Sequence, residues 1–458
     1  MLTLLSSAGL RMDLNTTWGE AAEATGGILL HGKPDASLRS FSTDSRSIAE
    51  GEAFWALTGE RFDAHDFLGH APADAAAGWI VKQGTRLPSK RAPHVLAVKD
   101  TTTALGLLAR AHRRRFDIPV IGITGSNGKT TVKEMLAAIL GQREKVCATV
   151  GNYNNEIGLP LTLFSINKSH KAAIVEMGAC RKGDIAYLTG IAEPTLGVLT
   201  NVGPAHLEFF EDEETVFKTK SELISGLKDG APVSLFAEDP WLSKLLPELE
   251  DRAVTFGWEK GRRVRALKDG LDVDGVHVPF HRPMGSIDCI NAAAAAAAAI
   301  ALGVPTAEIE AGLKVYKSAP LRFARREHDS GALFIVDTYN ANPVSMQAGL
   351  ATFLELHPDG QRIAVLGDML ELGERSLELH SKVLAGLDST PLTALFLAGK
   401  TMVEAAKKIP KGHLPFPVYH ALDAAEFAKP LRKLLTPTAS VYFKASRLMK
   451  LETLAGEL

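Results

Sequence analysis

The chain is poor in cysteine, in net charge and in long apolar runs. Its three cysteines, Cys147, Cys180 and Cys289, are widely spaced, odd in number and without a C-x-x-C pair. That excludes a disulfide framework and a zinc site of that kind, and it fits a reducing cytoplasm. Fifty-one basic residues against fifty-three acidic ones leave no global field, so neither nucleic acid nor an anionic membrane is expected as a partner. The one tight basic run, Arg113, Arg114 and Arg115, reads as a solvated helix end. No apolar run approaches the ~20 residues that span a bilayer, so membrane insertion is not expected. The opening MLTLLSSAGLRM lacks a basic leading segment and is not read as a signal peptide; residues 1–11 read as an extension ahead of Met12.

What is present is length and alternation. A chain of 458 residues has roughly three domains as its prior. Up to Val98, short apolar runs (EAFWAL, AGWIVK, HVLAV) alternate with polar turns, which suggests a small mixed α/β domain over residues 1–98. TTTALGLLARAHRRRF then reads as a helix, followed by strands at IPVIGIT, AAIVEMGA and PTLGVLTNV with helices between. This alternation predicts a central domain, residues 99–318, built on a parallel, doubly wound sheet of the phosphate-loop ATPase type. Within it Asn291 to Leu302 contains eight consecutive alanines, which helix propensity and close packing explain without a special function. After about Ala319, ALFIVDTYN, RIAVLGDM, ALFLAGK and SVYFKAS repeat the alternation and predict a Rossmann-like α/β domain over residues 319–458.

The stretch IPVIGITGSNGKTT carries the clearest chemistry. A β-branched run, a Gly-Ser-Asn-Gly turn and the helical VKEMLAAIL put the loop between strand and helix, where backbone N–H groups from Gly125 to Lys129 can point into an anion. Lys129 is placed to reach terminal phosphates and Thr130 to offer its hydroxyl to magnesium. Glu176, Asn201, His206 and Lys220 stand at or just beyond predicted strand ends, which a sheet of this kind gathers at one crevice. Glu176 would complete an oxygen shell for magnesium beside Thr130. A second metal near His206 would neutralise charge between a γ-phosphate and an attacking oxygen.

TGSNGKTTVKEM, GNYNNEIGLPLTL, VEMGACRKGDI, TNVGPAHLEFF, KTKSEL, DTYNANPVSM, AVLGDMLELG and KASRLMKLE, in this order, resemble the ATP-dependent Mur ligases of peptidoglycan synthesis, from STDSR at Ser42 to the end of the chain. The resemblance implies that Gly125, Ser126, Asn127, Gly128, Lys129, Thr130 and Thr131 hold ATP phosphates and Asn291 the adenine. Arg322, Asp337, Tyr339 and Asn340 would belong to the part that closes over the nucleotide. It implies two magnesium sites, Thr130 and Glu176 on the first and His206 on the second, with Lys220 carrying a carbamate from carbon dioxide. Lys129, His206 and Lys220 would be the catalytic group. Asp44, Ser45 and Arg46, with GERFDAHDF, resemble the segment that holds the UDP-sugar; Asn152, Asn154 and Asn155 resemble the patch that meets the substrate peptide, with Asn342 also on the substrate side.

At DTYNANPVSM the sequence resembles the member that adds a dipeptide, which implies UDP-MurNAc-tripeptide and D-alanyl-D-alanine as small-molecule substrates, with diaminopimelate and lysine both open as the third residue. A monomer acting in the cytoplasm is expected. The alternatives are a ligase of the same superfamily adding the diamino acid and a nucleotide-binding protein without catalysis. Two departures stand out: Ile287 and Asp288 replace the His-Asn of a Gly-x-His-Asn pattern, and Ala445 replaces the glycine of a Lys-Gly-Ser-Arg pattern. The first should alter hydrogen bonding near the adenine, and the second disfavours a positive φ at that position.

Overall fold

The computed structural model describes residues 14–59, 62–70, 72–89, 92–203, 210 and 212–458. The extension 1–11, Met12 and His206 lie outside the described residues. In the first part, five short strands form one sheet in the order Ile28–His31, Val95–Val98, Gly78–Lys82, Ala53–Trp55 and Phe41–Ser42, parallel apart from the first pair. Trp18, Phe41, Phe54, Trp55 and Trp79 fill its two faces and are fully buried. The Trp55 indole donates to the Thr101 carbonyl at 2.9 Å, and Phe41 meets Phe164 edge-on at 5.4 Å. This sheet therefore shares an apolar core with the helices that follow.

The helix Thr101–Arg113, capped by Asp100, leads to the strand Val120–Thr124, all of which is buried. That strand lies inside a nine-stranded sheet, with Ala172–Glu176 parallel on one side and Leu196–Leu199 parallel on the other. Ile121 and Ile123 pack with Val132, Leu136 and Ile139 of the helix Lys129–Leu140 and with the alanine run. Those eight alanines are each no more than 1% exposed, so the helix Ser286–Ala301 packs closely on the sheet, where Phe256, Val264 and Leu271 of the strands meet it. On the opposite face, a Cβ on Gly122 would stand 3.1 Å from Leu223 and 3.2 Å from Met177, which is why the strand carries a glycine there. The far edge turns antiparallel through Gly270–Val273 and Val276–Pro279, a hairpin the sequence pattern did not single out.

The basic run is the end of the helix Thr101–Arg113, and it also makes contacts that its sequence does not announce. Arg113 Nε donates to the Ala192 carbonyl at 2.9 Å, Arg114 Nε to Glu193 at 2.9 Å, and Arg115 to the Leu14 carbonyl at 2.6 Å. Arg114 and Arg115 are exposed, as a solvated helix end requires, while half-buried Arg113 meets a carbonyl at the end of the helix Asp184–Ala192, where a cation is favoured.

The last part holds a six-stranded sheet in the order Ala324–Glu327, Leu333–Asp337, Ala439–Lys444, Gln361–Gly367, Ala394–Ala398 and Val418–Ala421, parallel except for its first pair. Apolar clusters cover both faces, as a doubly wound sheet requires. Ala445 is fully buried and is not among the residues with positive φ, so the lost glycine leaves no backbone strain. Among the described residues no helix is long and apolar enough to cross a membrane.

Candidate active site

The phosphate loop needs both of its glycines. Gly125 has φ +149 and Gly128 φ +83, and a Cβ at the first would collide with Thr200 Oγ1, at the second with Asn291 Oδ1. The turn at 200–203, just past the neighbouring strand Leu196–Leu199, is the mould for this loop. Ser126 N–H donates to the Asn201 carbonyl at 2.9 Å, and its hydroxyl joins Gly203 O at 2.9 Å and Gly203 N–H at 3.0 Å. Asn127 N–H donates to Asn201 Oδ1 at 2.9 Å, and Thr200 Oγ1 donates to the Asn127 carbonyl at 2.6 Å. The helix Lys129–Leu140 begins at Gly128 with no side-chain cap. Its first N–H groups and the dipole of the helix are thus directed at an anion.

Lys129 bends back to donate to the Gly125 carbonyl at 2.8 Å. Burial pulls its pKa below the ordinary lysine value; Glu176 opposes this and Arg322 adds to it. Thr130 donates to Glu176 Oε2 at 2.8 Å, and Asn154 Nδ2 holds Glu176 Oε1 at 2.8 Å. Thr130 and Glu176 are 5% and 3% exposed. A buried hydroxyl and carboxylate at this separation are the hard oxygen donors that magnesium takes, so the pair fits that ion. Thr131 follows in the first turn of the same helix.

The last part of the chain reaches this centre twice. Arg322 Nη2 donates to Thr130 Oγ1 at 3.0 Å while its guanidinium lies 4.1 Å over the Tyr339 ring. Its Nε is buried without a hydrogen-bond partner, a free donor beside the loop that suits a phosphate oxygen. Asn342 caps the helix Pro343–Leu356 and also donates from Nδ2 to Asn127 Oδ1 at 2.9 Å. Asp337 is bound by Lys444 Nζ at 2.7 Å and by the Tyr442 hydroxyl at 2.9 Å; Lys444 also donates to the Asn340 carbonyl at 3.1 Å.

Lys220 is buried in the helix Glu213–Ser225, and its pKa is driven well below the usual lysine value by burial and by the charge of Lys129, with Cys180 opposing. Burial thus favours the neutral amine, the form that attacks carbon dioxide. Asn291, also buried, stands against Gly128 and is hydrogen-bonded to Asp288, whose pKa burial raises to about 6.

Other expected site residues keep to their own neighbourhoods. Asp44 grips Arg46 through Nε at 2.9 Å and Nη2 at 2.8 Å, leaving the Arg46 side chain 72% exposed; Ser45 lies between them. Asn155 accepts from Gly158 N–H at 2.9 Å and shapes its own turn, while the Asn152 carbonyl accepts from Asn154 N–H at 2.7 Å. Lys133 and Thr149 were not foreseen, although a lysine on the buried side of an amphipathic helix was a readable signal.

A phosphate-binding loop in a central sheet, met by an arginine and an asparagine from a second doubly wound sheet, is the build of the Mur ligases. Two family models match accordingly: the Mur ligase middle domain over residues 123–299, and the Mur ligase, glutamate ligase domain over residues 321–447. The UDP-N-acetylmuramoyl-tripeptide–D-alanyl-D-alanine ligase of Bacillus subtilis (strain 168) is 32% identical over 427 residues, 92% of this chain and 93% of that protein. The crystal structure of MurF from Acinetobacter baumannii matches with a TM-score of 0.87 at 31% identity, over 97% of this chain and 98% of that one. MurF from Thermotoga maritima in complex with ADP gives 0.81 at 32% identity, over 92% and 96%. The chain belongs to the MurF family.

Proposed function

We propose that this protein joins D-alanyl-D-alanine to UDP-N-acetylmuramoyl-tripeptide with ATP, giving the pentapeptide precursor of peptidoglycan. The observation that carries the reading is the cluster of Lys129, Thr130 and Glu176 at the C-terminal strand ends, with Arg322 reaching Thr130 from the second sheet. An amide does not form from a free carboxylate at neutral pH, because its oxygen is a poor leaving group. The tripeptide carboxylate therefore attacks the γ-phosphate and expels ADP, leaving an acyl phosphate, and the dipeptide amine, losing its proton, displaces phosphate from it through a tetrahedral intermediate.

The first step brings two anions together, so the site must concentrate positive charge. Lys129, the loop N–H groups and the free Nε of Arg322 supply it from the chain itself. Thr130 and Glu176 would hold one magnesium and His206 a second, with carbamylated Lys220 as a further ligand; bound there, magnesium supplies charge neutralisation to the transferring phosphoryl group. Asn291 would meet the adenine, and Arg322, Asp337, Tyr339 and Asn340 would line the closing side. The half-buried contacts of Arg322 and Asn342 across the cleft would help to keep water from the acyl phosphate.

In the same reading, residues 1–98 hold the UDP-sugar, 99–318 bind ATP, and 319–458 close on it and bind the dipeptide. The exposed guanidinium of Arg46, fixed by Asp44, suits a diphosphate. The enzyme works as a monomer in the cytoplasm. Purified protein with ATP, magnesium and D-alanyl-D-alanine should release phosphate only when UDP-MurNAc-tripeptide is added, with a pentapeptide product by mass. Activity only with UDP-MurNAc-dipeptide and a diamino acid would move it to the preceding ligase, and no release with either pair would remove the assignment.

A further inference from the structure

One turn beyond Lys129, the same helix carries Lys133, which is 1% exposed and among the largest fully buried side chains. Its Nζ donates to the Thr149 carbonyl at 2.6 Å and lies 2.7 Å from Glu134 Oε1. Burying an ammonium group costs several kcal/mol before its partners compensate, and an apolar side chain of similar volume often serves stability as well or better. The charge is thus best understood through what it holds.

It holds a junction. Thr149 N–H donates to the Ile174 carbonyl at 3.0 Å, and Thr149 Oγ1 accepts from Glu176 N–H at 3.0 Å. Five residues on, Asn154 donates to the Glu176 carboxylate at 2.8 Å, and Gly178 N–H returns to the Asn154 carbonyl at 2.8 Å. Glu176 is therefore gripped at its backbone and at its carboxylate by one loop. Lys133 is the side chain that ties the start of that loop to the phosphate-loop helix.

We infer that Lys133 is a positioning residue, which locks the 149–155 loop to the phosphate-loop helix and so sets Glu176 and Asn154 for the divalent metal and the acceptor. The inference rests on the function proposed above, yet it is testable without ligation. Lys133→Met keeps length and removes charge and donor. Its binding of Mn2+ in the presence of ADP, followed by electron paramagnetic resonance, should weaken about tenfold or more, the usual cost of losing support behind a metal ligand. Binding of ADP without metal should be unchanged. In turnover the KM for the tripeptide should rise and kcat fall, with the KM for D-alanyl-D-alanine unmoved.

Thr149→Val, which deletes only the acceptor for Glu176 N–H, should shift Mn2+ binding in the same direction. If Lys133→Met does not fold, Lys133→Gln, a neutral donor of shorter reach, should show the shift in reduced form. A variant that melts earlier but binds Mn2+ with ADP as wild type does would reduce Lys133 to a structural staple and overturn the inference. Wild-type protein that binds Mn2+ and ADP but makes no pentapeptide would instead refute the proposed function, and the Mn2+ comparison would still decide the role of Lys133.

Discussion

Replacing Asp288 by asparagine should stabilise the protein in a manner that grows with pH. Asp288 lies in the first turn of the helix Ser286–Ala301, hydrogen-bonded to Asn291. Burial raises its pKa from 3.8 to about 6; Arg282 and the bond to Asn291 oppose the rise, and Asp337 supports it. A carboxyl whose folded pKa is raised contributes stability that is complete below the unfolded value and is lost as pH climbs through the folded value. The difference between about 6 and 3.8 corresponds to a loss of about 3 kcal/mol at most above neutrality. Residual solvent contact brings this toward about 1–2 kcal/mol.

Roughly half of that loss falls between about pH 5 and pH 8, a range open to experiment. Asparagine cannot ionise, so Asp288→Asn removes the pH-dependent part and leaves any change in the bond to Asn291 as a constant offset. Melting curves of both proteins at several pH values in that range should separate by a further 2 °C or so, roughly what this energy is worth for a unit of this size. A gap between the two melts that stays constant with pH would refute the reasoning, whatever its size.

Lys129→Ala should lower turnover by about a thousandfold or more while calorimetric binding of the UDP-substrate stays near wild type; full activity would sink the loop assignment. Lys220→Ala should be inactive and partly restored by acetate, and an acetate titration without recovery would count against a carboxylate at that place. Gly128→Ala introduces a side chain at φ +83 against Asn291 Oδ1, and should cost about 1–2 kcal/mol of stability. It should also weaken ADP binding in a thermal-shift titration; an unchanged ADP midpoint would show that the loop tolerates the displacement.

Much of this architecture was legible because its signals are local. The strand Val120–Thr124, its loop and the helix Lys129–Leu140 follow from adjacent residues, as do the main strands of the last sheet. The edge hairpin Gly270–Val273 and Val276–Pro279 is short, and partly exposed Asp272 and exposed His277 interrupt its apolar pattern. Contacts at long separation left no trace in periodicity. Arg322 meets Thr130 across 192 residues, and Asn342 meets Asn127 across 215. The partners of the basic run were illegible for the same reason, since the carbonyls that Arg113 and Arg115 meet are brought near only by folding. Lys133 shows an intermediate case: helical spacing put it on an inner face, but its partner is a backbone oxygen, which no residue type advertises.

The alanine helix has a mechanical consequence for the cleft. Asn291 stands directly before the run of eight alanines and against Gly128. Through the run the helix itself presents only methyl groups to its neighbours, so it has no long side chain of its own to change rotamer and absorb an error. The layer behaves as a hard stop. A single added methyl deep in the run would be transmitted along the helix as a displacement of Asn291, so residues far from any substrate set the depth to which a nucleotide seats.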